Sequence, residues 1–268
     1  MIVKCYFSPC GNVRRTVDTL GDELIKRTGL KERVIDFTLK QKRQQSYRFS
    51  KEDIVIVGVP VYAGRIPNLI MPFIKECIKG GGALGVPMVC YGNRSFDNAL
   101  AELAVLMKEN DFQIAGAAAV VSEHSFVPEL AAGRPNQEDL EQIRRYAEKI
   151  LDGMEKIENV TAIIPGDPKA DSYYIPLKED KTPAKFLKAT PQIDRQRCNS
   201  CGHCVSLCPM NSIDANSFEV TGICIKCQAC IKGCAKEARY FEQEDFLSHK
   251  KMLKECYNDR KESFFAEI

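Results

Sequence analysis

The hydrophobic pattern of residues 1–157 alternates between short apolar runs and longer segments with helical spacing. The run DIVIVGV at Asp53–Val59 is almost continuous and rich in β-branched residues, as is typical of a strand buried on both faces of a parallel sheet. Four further runs predict strands: Ile2–Phe7, Val34–Phe37, Val86–Tyr91 and Ile114–Val121. Helical spacing predicts helices over Val13–Arg27, Met71–Lys79, Asn98–Asn110 and Gln137–Ile157. This alternation predicts an α/β fold with a five-stranded doubly wound parallel sheet, which binds ligands at the carboxyl ends of its strands.

The pattern changes after residue 157. Residues 158–189 contain Pro165, Pro168, Pro176 and Pro183, and they predict an extended linker that packs along the first domain. Residues 190–245 are rich in cysteine and predict a second, smaller α+β domain. Residues 246–268 predict a terminal helix, whose apolar side chains are available for docking.

Eight of the 13 cysteines form two runs with the same spacing, C-x2-C-x2-C-x3-C. The runs are Cys198, Cys201, Cys204 and Cys208, followed by Pro209, and then Cys224, Cys227, Cys230 and Cys234. Doubled runs of this kind hold two [4Fe–4S] clusters in bacterial-type ferredoxins, where three closely spaced thiolates hold one face of each cubane. Zinc and disulfides are the alternatives, but a zinc ion needs four ligands, which does not account for eight in matching runs.

Composition limits the remaining possibilities. The formal net charge is +2, so a nucleic-acid partner is not implied. No apolar run approaches the ~18 residues that a membrane span needs, and the N-terminus has no signal-peptide pattern. Thirteen cysteines without a secretion signal predict reduced thiols in the cytoplasm, and the clusters suggest an anaerobe.

Three loops at the predicted carboxyl edge of the sheet carry candidate binding residues. The loop after the first strand begins a helix, where backbone N–H groups favour an anion, and it offers Ser8, Cys10, Gly11, Asn12 and Val13. The loop after the third strand offers Pro60, Val61, Tyr62, Ala63 and Gly64. The loop after the fourth strand offers Tyr91, Gly92, Asn93 and Arg94, and His124 follows the fifth strand as a candidate proton donor. Each loop has a plain alternative as a turn with no ligand.

The segments SPCGN, GVPVYAGRIP, YGNR and SEHSF, followed by the doubled cysteine run, resemble the flavodoxin–ferredoxin fusion proteins of anaerobic bacteria and archaea. This resemblance covers nearly the whole chain and implies FMN together with two [4Fe–4S] clusters. It implies that Ser8–Val13 hold the FMN phosphate, although Cys10 and Val13 replace hydroxyl residues of the family pattern. It also implies that Tyr62 stacks on the flavin, that Gly64 supplies a flexible peptide beside it, that Arg65 adds positive charge near the ring, and that Asn93 meets its pyrimidine edge.

The resemblance further implies crossed cluster ligands. Cys198, Cys201, Cys204 and Cys234 would hold the first cluster, and Cys224, Cys227, Cys230 and Cys208 the second. Ala235 stands where Pro209 stands in the first run, so we expect unequal cluster potentials.

Three functions fit these features. The first is electron transfer between redox-protein partners, with no catalytic residue. The second is an FMN-dependent reductase fed by its own ferredoxin domain, with His124, Arg94 and Tyr62 lining a substrate site. The third is a redox-sensing interaction module without flavin. The chain has no G-x-G-x-x-G, so nicotinamide binding through that motif is unsupported. Docking of the two domains between protomers would produce a homodimer.

Overall fold

A computed structural model describes residues 1–153 and 163–267. The predicted helix end at Ile157 and the predicted domain boundary at 157/158 lie outside the described residues. The strands are β1 (Ile2–Tyr6), β2 (Glu32–Asp36), β3 (Tyr47–Arg48), β4 (Ile54–Pro60), β5 (Ile78–Lys79), β6 (Leu84–Tyr91), β7 (Gln113–Ile114), β8 (Ala118–Val121), β9 (Gln192–Ile193), β10 (Arg239–Tyr240) and β11 (Phe264–Phe265). The helices are α1 (Asn12–Thr28), α2 (Met71–Cys77), α3 (Ala99–Glu109), α4 (Gln137–Asp152), α5 (His203–Ser206), α6 (Ala229–Lys232) and α7 (Glu244–Cys256).

The main sheet has the order β2-β1-β4-β6-β8, and all of these strands are parallel. This confirms the predicted five-stranded doubly wound sheet. Two short strands extend it: β7 pairs with β6, and β11 adds antiparallel to β8 at the outer edge. The chain reverses its direction of winding between β1 and β4, so the crevice at their carboxyl ends is the expected ligand position of the fold.

Both faces of the sheet are covered by helices. On one face α1 and α4 bury residues such as Val17, Leu20 and Ile143 against β1, β4 and β6. On the other face α2 and α3 pack Ile74, Leu103 and neighbouring residues against the same strands. Strand β4 is therefore buried on both sides, which is why its sequence is apolar without alternation.

The predicted fifth strand, Ile114–Val121, is broken in the middle. Pairing stops after Ile114 and resumes at Ala118. At the break the Tyr146 hydroxyl receives the Ala117 amide at 2.8 Å and donates to the Ala117 carbonyl at 3.2 Å. A Cβ on Gly116 would lie 3.0 Å from the same hydroxyl, so only glycine lets the α4 tyrosine come this close. A side chain from α4 thus substitutes for strand pairing at this point.

The predicted terminal helix over 246–268 is wrong beyond Cys256. Helix α7 ends there, and the following residues form an extended tail that finishes as β11. Asn93 provides the physical reason, because its Nδ2 donates to the carbonyls of Tyr257 at 2.6 Å and Asp259 at 2.9 Å. These carbonyls are thereby held outside any helix.

The cysteine half (residues 190–245) contains α5, α6 and the β9–β10 pair. Phe246 of α7 joins it to the rest of the chain. Its ring lies 4.2 Å from that of Phe241 in the cysteine half, 5.3 Å from Phe186 in the linker and 4.9 Å from Phe126 in the sheet half (residues 1–153). The described part of the linker also contacts the sheet half, since the Tyr174 amide donates to the Ala63 carbonyl at 2.8 Å. No helix among the described residues is both long and apolar enough to cross a bilayer.

Candidate functional site

Four thiols from both cysteine runs line one cavity in the cysteine half. Cys224, Cys227 and Cys230 come from the second run, and Cys208 comes from the first. The rest of the lining is mostly apolar and includes Ile213 and Phe241. This is the set that the resemblance assigns to the second cluster, so three neighbouring cysteines and one distant cysteine meet as a cubane requires.

The backbone around the two runs repeats at a separation of about 26 residues. Ser200 and Lys226 occupy the left-handed region at φ 57° and 56°, and each amide donates to the sulfur of the cysteine two residues before it. The amides of Ser212 and Ala238 donate to Cys208 and Cys234 sulfur, each at 3.3 Å. Because N–H donors stabilise thiolate charge, both runs are preorganised in the same way to hold an anionic centre.

The thiols are not gathered around a single point. Among the described residues, no group of three or more His, Cys, Asp or Glu side chains could hold one metal ion. A zinc site would bring four donors to about 2.0–2.3 Å from one ion, whereas a cubane places each thiolate on a different iron. The four cysteines around the apolar cavity would hold a cluster for one-electron chemistry.

The two ligand sets differ in exposure. Cys201 of the first set is exposed. Cys227 and Cys230 of the second set are buried, at 9% and 8% exposure. Cys201 therefore reaches solvent, whereas Cys227 lies against the sheet half through its contact with Cys10.

The first sheet loop is predicted to hold a phosphate, but most of its polar groups form hydrogen bonds within the protein. The Ser8 amide donates to Thr38 Oγ1 at 2.8 Å, and the Ser8 hydroxyl receives the Arg14 amide at 2.9 Å. Gly11 caps α1 at φ 88°, and Asn12 Nδ2 donates to a backbone carbonyl after β8 at 3.4 Å. Val13 is buried on α1, where a hydroxyl would have faced the ligand.

Cys10 in the same loop contacts the cysteine half. Its Sγ donates to the backbone carbonyl of Cys227 at 2.9 Å. Burial raises the pKa of the Cys10 thiol to about 11, although Lys232 acts in the opposite direction. The helix N-terminus therefore does not produce a reactive thiolate here.

The second sheet loop forms a tight turn after β4. The Val61 amide donates to the Cys90 carbonyl at 2.8 Å, and Tyr62 exchanges backbone hydrogen bonds with Arg65. Two left-handed residues make the turn, Ala63 at φ 48° and Gly64 at φ 81°. A Cβ on Gly64 would lie 2.3 Å from a carboxylate oxygen of the third loop, so glycine is required here for space as well.

The side chains at the ends of this turn point to different neighbours. Pro60 is the last residue of β4, and it lines the same cavity as the half-buried Tyr62 and Cys227. Arg65 forms an ion pair with the buried Glu102 of α3 and lies 4.9 Å over the Tyr173 ring of the linker. The expectation that Arg65 places charge near a flavin ring stays a prediction, and in this structure the Arg65 charge is paired with Glu102 of α3.

The third sheet loop holds the C-terminal tail and the linker. The Tyr91 hydroxyl donates to the Glu262 carbonyl at 3.0 Å. Asn93 is buried, with two bonds to tail carbonyls and a third from the Lys261 amide at 3.2 Å. Arg94 pairs with Asp97 and stacks 3.9 Å over the Tyr174 ring. Asn93 is thus committed to the tail rather than to the pyrimidine edge of a flavin.

His124 lies beside the third loop as a structural acceptor. Its Nδ1 receives the amides of Phe126 at 3.0 Å and Val127 at 3.3 Å, so a neutral ring carries its proton on Nε2. Burial, together with the nearby positive groups His249 and Lys232, lowers the pKa of His124 to about 3. A Cβ on Gly92 would lie 2.3 Å from this ring, which fixes the loop against it. His124 and Arg94 therefore do not form a free acid–base pair.

Comparison with known proteins agrees with this division of the chain. A 4Fe-4S binding domain matches residues 190–213. The sheet order of residues 1–153 is the flavodoxin-like order. The chain joins a flavodoxin-like half to a 4Fe–4S binding half.

Several solved structures are similar to the flavodoxin-like half. A flavodoxin from the domain Archaea is 18% identical with a TM-score of 0.41, and the match covers 57% of this chain and 97% of that chain. The flavodoxin of Streptococcus pneumonia TIGR4 is 19% identical with a TM-score of 0.40, covering 57% and 99%. Rubredoxin oxygen:oxidoreductase from the anaerobe Desulfovibrio gigas is 17% identical with a TM-score of 0.37, covering 58% and 36%. Among curated proteins the comparison finds no match.

The crevice of the flavodoxin-like half is covered by residues 224–230, called the second-cluster loop because the resemblance assigns their three cysteines to the second cluster. Ser8, Cys10, Tyr62, His124 and Cys227 line a common cavity of about 80 Å³. Sites for ligands of FMN size enclose roughly 300–1,000 Å³. The cavity is therefore smaller than an FMN site, and the Cys227 carbonyl narrows it by its contact with Cys10 of the phosphate loop.

Two contacts that close the crevice have no signature in the sequence. Lys232 of α6 pairs with Glu123 at 2.8 Å across the two halves. Arg43 donates to the Pro209 carbonyl at 2.6 Å. Both contacts join residues more than a hundred positions apart, and no local sequence motif marks the charged residues that form them.

Proposed function

We propose that the protein transfers electrons by means of two [4Fe–4S] clusters with crossed ligands. Cys198, Cys201, Cys204 and Cys234 hold the first cluster, and Cys224, Cys227, Cys230 and Cys208 hold the second. The observation that carries this proposal is the cavity in which Cys208 joins the three cysteines of the second run. The matching N–H···S bonds around Cys208 and Cys234 support the same assignment for both clusters.

The difference in exposure supports a route for the electron. The first cluster, with exposed Cys201, exchanges electrons with redox-protein partners. The second cluster, with buried Cys227 and Cys230, exchanges electrons with the first inside the molecule. The contact between Cys10 and Cys227 lies within one chain, so the two halves meet without an exchange between protomers. Cytoplasmic location is part of this proposal, because the clusters require reduced thiols.

FMN binding depends on the position of the second-cluster loop. The cavity of about 80 Å³ supports a closed state that excludes the flavin. Cys10 and Val13 remove hydroxyl groups from the phosphate loop, and Asn93 is occupied by the tail. FMN and the docked cysteine half therefore compete for one crevice, and the flavodoxin-like half serves as the docking platform of a ferredoxin.

A redox-responsive interaction module is the second candidate. The hydrogen bond from Cys10 to Cys227 favours it, because a redox change at the second cluster would act directly on the first loop of the sheet half. The FMN-dependent reductase is less supported, because the side chains of His124 and Arg94 are used for internal contacts.

Anaerobic quantification of iron and acid-released flavin tests the proposal. We expect about eight iron atoms per chain and well under one FMN, even after incubation with excess FMN. About four iron atoms, or zinc in place of iron, would contradict the two-cluster assignment. A full complement of both iron and FMN would instead mean that the second-cluster loop leaves the crevice.

Ligand variants test the crossing of the two runs. Cys208→Ser and Cys224→Ser should remove the same electron paramagnetic resonance signal, although they lie in different runs. Cys204→Ser should remove the other signal. If Cys208→Ser removed the signal that Cys204→Ser removes, each run would hold its own cluster and the crossed assignment would be wrong.

A further inference from the structure

Arg239 is a buried cation with unused donors. Its exposure is 4%, and its Nη2 donates to the Phe218 carbonyl and to Cys204 Sγ, the latter at 3.3 Å. Within the described residues, its Nε and Nη1 are buried without a hydrogen-bond partner. An unpaired buried guanidinium is strongly unfavourable, so an anionic acceptor beside it is required.

The internal repeat shows what is unusual about this position. Arg239 is the fifth residue after the last cysteine of the second run, and Ile213 is the fifth residue after the last cysteine of the first. Ile213 is 6% exposed and lines the cavity of the second ligand set. The equivalent place beside the first ligand set therefore holds a charged residue instead of an apolar one.

The hydrogen bonds to the cysteine sulfurs do not otherwise distinguish the two sets. Those of Ser200 and Lys226 match, and so do those of Ser212 and Ala238. The bond from Arg239 to Cys204 has no described counterpart at Ile213, which has no donor in its side chain. Among the described hydrogen bonds to these cysteine sulfurs, the asymmetry therefore lies at Arg239.

We propose that Arg239 is a fixed positive charge against the first cluster and that its free N–H groups donate to that cluster's sulfur atoms. Reduction adds one electron from the redox-protein donor to the cluster and forms or breaks no bond. The reduced cluster is more negative, so a buried cation beside it favours reduction and raises its potential. This proposal rests on the two-cluster function proposed above, and it adds the residue that makes the exposed cluster the better electron acceptor.

The variants Arg239→Gln and Arg239→Lys distinguish the effect of the positive charge on the reduction potential from the effect of the shape of the side chain. Redox titration of the holoprotein with dithionite, followed by electron paramagnetic resonance, should give two reduction waves. In Arg239→Gln the equilibrium constant for reduction of one cluster should fall about tenfold. Its wave should therefore shift to lower potential by about 59 mV for one electron. The other wave should move less, because Arg239 acts on Cys230 of the second set through its charge but donates its described sulfur bond to Cys204 of the first. Arg239→Lys keeps the charge and should restore most of the shift.

Controls distinguish this role from a structural one. Lys236→Gln removes an exposed charge from the same segment and should leave both waves in place, because water screens it. Iron content of each variant shows whether both clusters are present, so a missing cluster would count against the two-cluster function and not against Arg239. If Arg239→Gln retains full iron and both waves stay unchanged, or both move equally, the proposal is wrong. Loss of thermal stability alone would identify Arg239 as a support for the Phe218 carbonyl.

Discussion

His124 illustrates how a single side chain is fixed by its surroundings. Its Nδ1 accepts two backbone amides, and a charged ring would have to give up that acceptor. Burial already disfavours the charged form, which lowers the pKa of His124 to about 3. The residue is therefore a permanent neutral acceptor in the pH range where histidine usually titrates.

The pH dependence of stability should report this state. Because the folded pKa of His124 is below its unfolded value of about 6.5, the folded state binds fewer protons and stability falls as pH decreases below that value. His249, whose pKa is also lowered by burial, contributes in the same direction. Anaerobic urea unfolding between pH 7.5 and 5.5 should show a smaller decrease in His124→Asn, whose Oδ1 replaces the acceptor. An identical slope in wild type and variant would show that His124 does not titrate on unfolding.

At the scale of single residues, the sequence predicts candidate ligand residues better than it predicts which distant residues contact one another. The resemblance groups Cys208 with the three cysteines of the second run, and in the structure these four line one cavity. The sequence predicts Asn93 as a flavin contact, yet its partners in the folded chain are the backbone carbonyls of Tyr257 and Asp259 in the tail. No local pattern near Asn93 encodes a partner so far along the chain.

The C-terminal tail is the element that most changes the predicted fold. It leaves α7 at Cys256, passes under Asn93 and pairs as β11 with β8. Arg134 also holds it, through a 2.5 Å bond from Nη1 to the Lys261 carbonyl. The tail thus completes the sheet edge and occupies the loop after β6.

Variants of Asn93 test the attachment of the tail. Asn93 has φ 66°, so Asn93→Gly keeps the backbone while it removes three hydrogen bonds. We expect a loss of about 1–3 kcal/mol in unfolding free energy and faster hydrogen exchange over residues 257–266. Asn93→Ala should lose about 1 kcal/mol more, because alanine is strained at positive φ. Unchanged exchange in the tail of Asn93→Gly would show that β11 pairing alone holds it.

The start of α4 depends on a buried ion pair. Arg134 Nε lies 2.9 Å from Asp139 Oδ2, and Asn136 and Asp139 form a reciprocal cap. Burial alone would raise the pKa of the Asp139 carboxyl, but Arg134 and the Asn136 amide hold it below its usual range. Arg134→Met should therefore cost about 3–5 kcal/mol, since it leaves an unpaired buried charge. Anaerobic denaturant unfolding measures this loss. Arg134→Met/Asp139→Leu should recover part of it, and no recovery would locate the effect at the tail carbonyl instead.

Element boundaries are predictable where one face determines them. Strand β4 and helix α3 lie within a residue or two of their predicted ends, because burial on the sheet fixes their pattern. The sequence predicts a continuous fifth strand, since its apolar run does not reveal that the Tyr146 hydroxyl from α4 takes over pairing at Ala117.

At the scale of the molecule, the docking of the two halves determines how much of the crevice stays open. Cys10, Arg43 and Glu123 of the sheet half each contact the cysteine half, and together they place the second-cluster loop over the crevice. The resemblance to flavodoxin–ferredoxin fusions implies both parts, but it does not indicate that one part covers the binding crevice of the other.

Charge reversal across the interface tests this docking. The Glu123–Lys232 pair is partly exposed, so it contributes less than about 1 kcal/mol. Lys232→Glu should raise hydrogen exchange in the Cys10–Val13 loop and in residues 224–230 by up to about fivefold, which corresponds to a loss of about 1 kcal/mol. The double swap Glu123→Lys/Lys232→Glu should return exchange to the wild-type level. Equal exchange in all three proteins would mean that this pair does not hold the halves together.

Strand β11 has a consequence for the order of synthesis. Phe264 and Phe265 come after all eight cysteines of the two runs in the chain. They nevertheless pair with β8 and cover that edge of a sheet whose first strand, β1, is at the start of the chain. A ribosome releases the early strands first, and an early domain usually folds before later ones are made. Here the β8 edge remains open until the cysteine half has been synthesised, and an open edge invites pairing with other chains. Completion of the sheet is therefore a late event, which follows synthesis of the whole cysteine half.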